Sequence, residues 1–131
     1  MTDRKSQELY EKLQKIINNL RKEVKYIIII GHLGKGGDAL EENTSEGVIK
    51  NFEGVVAFID GHSHFVYSTG TLDKINKNVT LAQTGTKLAN IWVLTIHEDG
   101  TITQENIDEV PYDSALADKT LNVTRGGKVC R

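Results

Sequence analysis

Val55-Val56-Ala57-Phe58-Ile59-Asp60-Gly61-His62-Ser63-His64 is the stretch that decides the fold, because a buried strand runs directly into a turn that carries two histidines. An uninterrupted apolar run of this length is typical of a strand inside an α/β sheet. Residues two apart in an extended chain point to the same side, whereas a turn at Gly61 would break that regularity. The spacing therefore leaves open whether His62 and His64 act at one point or at two.

A second strand ends in the same way. Val24 to Ile30 contains four consecutive isoleucines and predicts a strand covered on both faces, and Gly31-His32 follows it. Ligands of open α/β sheets bind outside the carboxyl ends of parallel strands, so two adjacent strands ending in histidine would direct both rings into one crevice. Imidazole is the commonest protein ligand of transition metals. The sequence indicates His32, His62 and His64 as candidate metal ligands; histidines that only stabilise turns are the alternative.

The remaining elements also follow from sequence patterns. Apolar residues at helical spacing predict an amphipathic helix over 6–22, and Thr44 or Ser45 is suited to cap a second, short helix. Further strands are predicted over 79–83 and 90–97, and Glu98-Asp99-Gly100 predicts a hairpin turn with a return strand from Thr101. His97, beside that turn, is expected to be a solvated strand end. Helices leading into buried strands indicate an α/β layer architecture.

Composition excludes several classes of protein. The 131 residues have the length of one domain, and the net charge of −2 with 26% charged residues predicts no nucleic-acid partner. The longest aliphatic run, Tyr26 to Ile30, is far short of the ~20 residues that cross a bilayer. Lys35 precedes Gly36 rather than a hydroxyl residue, so the glycine-rich loop does not match a phosphate-binding P-loop. Cys130 is the single cysteine, which excludes an internal disulfide.

Four stretches together resemble the second half of a calcineurin-like metallophosphoesterase domain of the 5′-nucleotidase and 2′,3′-cyclic-nucleotide phosphodiesterase type. They are 26–34 (YIIIIGHLG), 57–64 (AFIDGHSH), 81–85 (LAQTG) and 91–102, which ends in DGTI. The resemblance implies an α/β fold that is part of a four-layer α/β/β/α sandwich, with a mixed sheet and an antiparallel C-terminal hairpin. It assigns residues 1–110 to the C-terminal half of that domain and 111–131 to a linker or loosely packed tail.

The resemblance also implies a chemistry. His32 and His62 would ligate one divalent ion and His64 another, the ions being zinc, manganese or iron. The substrate would be a nucleotide or a related phosphate ester, attacked by a metal-activated water. Only a partial, weak metal site is expected in this chain, because each ion would have at most two of its ligands here.

The family's other motifs are missing from their expected context. These are an Asp-x-His after the first strand, a bridging aspartate in Gly-Asp, and a Gly-Asn-His-Glu or Gly-Asn-His-Asp segment with the catalytic histidine. Gly37-Asp38 and Asp60 stand in a different context, and no Asn-His pair occurs. We therefore expect no catalytic residue in this chain and a segment of a longer enzyme, with Met1 internal or added. A degenerate standalone protein is the alternative.

A non-catalytic module is the competing hypothesis. Half of a layered sandwich would expose an apolar sheet face, and large exposed apolar patches tend to pair. Homodimerisation through that face is then expected.

Overall fold

The computed structural model describes residues 4–36, 41–87 and 89–108. Its elements in chain order are α1 (Arg4–Leu20), β1 (Ile28–Ile30), a 3₁₀ turn (Glu41–Asn43), α2 (Ser45–Ile49), β2 (Ala57–Asp60), β3 (Val66–Leu72), β4 (Asn78–Thr84), β5 (Asn90–Ile96) and β6 (Ile102–Asp108). The tail predicted over 111–131 lies outside the described residues.

The first four strands form one sheet in the order β1-β2-β4-β3. β1, β2 and β4 are parallel, and β3 pairs antiparallel with β4. β5 and β6 form a separate antiparallel hairpin with Ile91 opposite Ile107. The mixed sheet and the antiparallel C-terminal hairpin predicted from the sequence are both present.

The core lies between the helices and one face of the sheet. Ile29, Phe58 and Leu81 stand in register across the three parallel strands and pack with Ile17 and Phe52. Burying an aromatic or aliphatic side chain of this size contributes about 1.5–3 kcal/mol, so packing on this face stabilises the contact between helices and sheet.

Side-chain hydrogen bonds fix both helices to this layer. Gln14 of α1 donates to the carbonyl oxygen of Glu53 over 3.2 Å and accepts from the Glu53 N–H over 2.9 Å. Thr44 caps α2, since its hydroxyl accepts from the N–H of Gly47 over 3.1 Å. The Ser45 N–H donates to the carbonyl oxygen of Gly34 over 3.2 Å, which holds the start of α2 against the loop that follows β1.

The hairpin covers part of the opposite sheet face. The Trp92 indole N–H donates to the carbonyl oxygen of Gln83 over 2.9 Å, and alternate residues of β5 are half-buried. Ala57 and Ala82 on this sheet face are buried. The hairpin thus forms a second, partial layer.

The prediction that the first strand is covered on both faces is wrong. β1 is only three residues long and lies at the sheet edge, where Ile28 is 43% and Ile30 is 80% exposed. Ile27 is buried and Ile29 packs against the core, so one face is covered and the other is open among the described residues. An apolar run alone does not show whether the layer that covers a strand is formed by the described part of the chain.

No helix in the described ranges combines the length and the apolar character that crossing a bilayer requires.

Candidate functional site

His32 and His62 come together at the carboxyl ends of β1 and β2. The two strands are parallel neighbours, and the Gly31 N–H extends their pairing by donating to the Ile59 carbonyl oxygen over 2.8 Å. The imidazole centroids are 5.2 Å apart, with the rings edge to face at 81°. Both side chains are exposed to solvent. The convergence of the two strand ends is as the sequence predicted; the role of the rings as metal ligands stays a prediction.

A glycine on each strand end makes room for the histidine of the other. A Cβ added to Gly61 would lie 2.9 Å from Nδ1 of His32, and one added to Gly34 would lie 3.0 Å from Cδ2 of His62. Such contacts are too close for an unshifted side chain, so a larger residue at either position would push the opposite ring away. The glycines near both histidines are thus explained by the close approach of the two rings as well as by turn geometry.

The backbone at two of the predicted ligands is strained. His62 has φ +88° and His64 has φ +58°, in the left-handed region that favours glycine. Residues held there cost of order 1–3 kcal/mol and concentrate at functional sites. At both positions the chain therefore keeps an imidazole where glycine would be easier to accommodate.

His64 does not join the other two in a three-residue cluster. Within the residues that the structure describes, no three or more His, Cys, Asp or Glu side chains are grouped so as to hold a metal ion. The structure therefore brings together His32 and His62, and leaves His64 as a separate, exposed side chain on the same turn.

The distance between the paired rings is compatible with a shared ion. Zinc binds imidazole nitrogen at about 2.0–2.1 Å, which places the centroids of two rings on one tetrahedral ion about 5 Å apart. The observed centroid distance is 5.2 Å. A filled structural zinc site uses four protein ligands and a catalytic one three plus water. Two imidazoles at this separation could supply at most part of such a site.

Asp60, the last residue of β2, contacts the backbone of the loop that carries His32. Its side chain is 7% exposed. It accepts hydrogen bonds from the N–H groups of Leu33 and Gly34 over 2.8 and 3.0 Å, from the Ser45 hydroxyl over 2.6 Å and from the Gln83 side-chain amide over 3.0 Å. One carboxylate thus joins the loop after β1, the start of α2 and the end of β4.

These hydrogen bonds set the charge state of Asp60. Burial by itself raises the pKa of the carboxyl, but donors from Ser45, Leu33, Gly61 and Gln83 together outweigh it and lower that pKa below its ordinary value. Hydrogen bonds to a carboxylate favour its ionised form. Asp60 is therefore a buried anion at neutral pH, satisfied by neutral donors.

A second set of contacts holds the loop from outside. The Ser63 hydroxyl donates to Oε1 of Gln83 over 3.0 Å and accepts from the Lys35 N–H over 3.3 Å. The Lys35 ammonium lies 3.0 Å from a carboxylate oxygen of Glu46 and 5.0 Å from the centroid of the Tyr67 ring. The hydrogen bond and charge of Glu46 raise the pKa of Lys35. The loop carrying His32 is thus tied on both flanks.

Sequence reasoning missed the residues under the histidines. The sequence pattern assigns Asp60 no role in the site, and it predicts Ser45 only as a helix cap and Gln83 only as a strand residue. A charged residue closing an otherwise apolar strand was the available signal, since a buried carboxylate needs several donors around it. His97 is exposed and its Nε2 lies 2.8 Å from the Thr103 hydroxyl, in keeping with a solvated strand end.

Comparisons with known proteins bear on the fold. No protein-family model matches the sequence, and curated protein sequences provide no significant match. The structure is similar to that of the NAD nucleotidase of Haemophilus influenzae, with a TM-score of 0.59 and 13% identity over 91% of this chain and 30% of that chain. The chain has the fold of part of that enzyme. The predicted fold class, a mixed α/β arrangement consistent with part of a metallophosphoesterase sandwich, is thereby confirmed.

Proposed function

We propose that this chain is part of a divalent-metal-dependent phosphohydrolase that acts on nucleotides or related phosphate esters. The observation that carries the proposal is the His32–His62 pair, 5.2 Å apart at the carboxyl ends of two parallel strands. The structural similarity to a nucleotidase supports the phosphohydrolase class, and the match to only 30% of that enzyme's length supports the view that this chain is one part of such an enzyme.

The histidines have distinct roles in this proposal. His32 and His62 would bind one ion and His64, on the same turn as His62, would bind a second, the ions being zinc, manganese or iron. When bound, such ions polarise a phosphate oxygen and lower the pKa of a coordinated water. The chain's own contribution is to hold the imidazoles of His32 and His62 in place, with Gly34 and Gly61 packed against the opposite rings.

The chain by itself supplies an incomplete set of groups. The sequence contains neither the Asn-His pair that carries the family's catalytic histidine nor its bridging aspartate in the expected context. We expect weak metal binding and no turnover from this chain alone, with the missing ligands coming from elsewhere in the complete enzyme.

Calorimetric titration of the purified chain with Zn²⁺ at pH 7.5 tests the metal site. Replacing His32 or His62 by alanine should weaken binding at least about tenfold, since each removes one of two protein ligands. His97→Ala is the matched control, because it removes an equally exposed strand-end histidine outside the pair. If Zn²⁺ binding were undiminished after replacement of all three candidate ligands, the metal site would be contradicted and the histidines would only stabilise turns.

Binding of AMP to the Zn²⁺-loaded chain tests the substrate class. Affinity for AMP should depend on the metal and should fall in the His62→Ala chain, while adenosine, which has no phosphate, should bind much more weakly. Equal binding of AMP and adenosine would contradict a phosphate-directed site. Turnover of a chromogenic phosphate ester with Mn²⁺, abolished by His62→Ala, would show instead that this chain is catalytically sufficient.

A second candidate function is assembly, favoured by the open apolar face of β1. Ile28 and Ile30 are exposed on one sheet face, and Leu9, Ile16 and Leu20 are exposed on α1. Pairing of two copies through β1 would cover its isoleucines. Light scattering across a concentration series should then show a dimer that Ile30→Lys disrupts, with Thr95→Lys on the hairpin as control; a monomer at high concentration contradicts this.

A further inference from the structure

The buried carboxylate of Asp60 contacts the His32 segment at its backbone. Oδ1 accepts from the N–H of Leu33, the residue next to His32, and Oδ2 accepts from the N–H of Gly34. These two donors are successive in the chain, so both oxygens of one carboxylate fix the direction in which the loop leaves β1. His62 is two residues after Asp60, so the same residue also fixes the start of the second histidine's turn.

The carboxylate is itself held by two further elements. The Ser45 hydroxyl donates to Oδ2 over 2.6 Å, and Gln83 donates to Oδ2 over 3.0 Å and to the carbonyl oxygen of Gly61 over the same distance. Ser45 and Gln83 are almost fully buried. Asp60 is therefore locked against α2 and β4, and cannot follow the loop if the loop moves.

Because each histidine ring packs closely against the opposite loop, the position of the loop that carries His32 determines the geometry of the histidine pair. The His32 ring lies against Gly61, and the His62 ring lies against Gly34, whose own N–H is bound by Asp60. A shift of Gly34 would therefore alter the space available to the His62 ring, and a shift of Leu33 would displace His32. The two rings have one common support.

We infer that Asp60 is a positioning residue that sets the separation of His32 and His62 through the Leu33 and Gly34 N–H groups. The inference deepens the proposed function and rests on it for the role of the metal. Asp60 itself is not assigned as a ligand. Residues that orient metal ligands typically contribute about 10- to 100-fold to metal affinity, and an effect of that size is expected here.

Asp60→Asn is the sharpest variant, because it preserves shape but replaces one acceptor oxygen by an NH₂ group. The NH₂ group of the new amide would face N–H or O–H donors and could not accept hydrogen bonds from them. We expect Co²⁺ affinity to fall about 10- to 100-fold and the visible absorption spectrum of bound Co²⁺ to change. In the metal-free chain, the nuclear Overhauser effect between the ring protons of His32 and His62 should weaken or disappear.

Asp73→Ala, which removes a carboxylate oxygen that accepts two backbone hydrogen bonds, is a control for general destabilisation. Asp73 is also a buried aspartate, and its carboxylate accepts from the N–H groups of Ile75 and Lys77 in the turn before β4. This variant should lower the melting temperature. It should leave unchanged the Co²⁺ affinity, the visible absorption spectrum of bound Co²⁺ and the nuclear Overhauser effect between the His32 and His62 rings. Asp60→Asn with unchanged ring contact and affinity would overturn the positioning role.

The two readouts separate this inference from the proposed function. If the wild-type chain shows the contact between the rings and binds no Co²⁺, the metal proposal fails, while loss of the contact in Asp60→Asn still supports positioning. If Co²⁺ binds and is lost in His32→Ala but not in Asp60→Asn, the metal proposal stands and Asp60 has no positioning role.

Discussion

Two turns of this molecule place a histidine near an aspartate with a lowered pKa, yet they are built in different ways. At the hairpin, Asp99 follows His97 and accepts from the N–H and hydroxyl of Thr101 over 2.9 and 2.6 Å, only two residues away. At the crevice, Asp60 accepts from partners 15 to 27 residues away in the chain. The first is a local turn, and the second joins three elements of the sheet layer.

Exposure to solvent decides how much each aspartate contributes to stability. Hydrogen bonds from Thr101 lower the pKa of Asp99, but this carboxyl is fully exposed and water can replace its partners. Asp60 is buried, so water could not readily replace its carboxylate as the acceptor for the groups that donate to it. A similar pair of residue types is therefore replaceable at the hairpin and structural at the crevice.

Alanine at each aspartate should give the largest contrast. Asp60→Ala removes the acceptor of the Leu33 and Gly34 N–H groups and of one Gln83 amide hydrogen, while the Ser45 hydroxyl can still donate to the Gly34 carbonyl oxygen 3.0 Å away. Each buried group left unsatisfied costs about 1–3 kcal/mol, so we expect a loss of about 3 kcal/mol in the free energy of unfolding. Asp99→Ala should change it little. Urea denaturation followed by circular dichroism measures both, and similar losses for the two variants would contradict the contrast.

Lowering the pH should reveal how much the Asp60 carboxylate contributes to the free energy of unfolding. The pKa of Asp60 is lowered in the folded state, so its contribution to stability is complete above the ordinary aspartate value of about 3.9 and is lost as pH falls through the lower, folded-state pKa. Midpoints of urea unfolding between pH 6 and pH 2.5 should therefore decline more steeply in the wild type than in Asp60→Asn. Parallel curves would show that Asp60 makes no such contribution.

The contrast also explains what the sequence could predict. Strand runs, the helical period and the Gly-His repeat are local patterns, and they predicted α1, the parallel strands and the meeting of His32 with His62. The hairpin turn at Asp99-Gly100 was equally local. Each pattern lies in residues close to one another in the chain, and the meeting of His32 with His62 follows from the general rule that parallel strands bring their carboxyl ends to one edge of the sheet.

The missed features depend on distant partners. Nothing near Asp60 in sequence announces that Ser45 and Gln83 will donate to it, and nothing near Ile30 tells that this face stays open in the described structure. A buried carboxylate and an exposed isoleucine both contradict residue-type preference, and only the tertiary arrangement decides them. Metal binding by His32, His62 and His64 remains a prediction.

The glycine contacts offer a finer test of the crevice. Gly61→Ala places a methyl group 2.9 Å from Nδ1 of His32 in the present geometry. Because the exposed His32 ring can shift, we expect a loss of about 1–1.5 kcal/mol, at the low end of overpacking costs, and most of it should vanish when His32 is already alanine, since the obstructing ring is gone. A double-mutant cycle by urea denaturation measures this coupling, and additive effects would show that the two groups do not press on each other.

The smallest effect concerns the link between the two regions. Trp92 of the hairpin donates to the carbonyl oxygen of Gln83, whose side chain donates to Asp60. Trp92→Phe removes that hydrogen bond while keeping an aromatic ring, which should cost about 1 kcal/mol of stability. Because the contact reaches the backbone of Gln83 and not its side chain, Zn²⁺ affinity should stay within about twofold of wild type. A larger fall in affinity would show that the hairpin helps to shape the crevice, and that the local and tertiary regions are coupled.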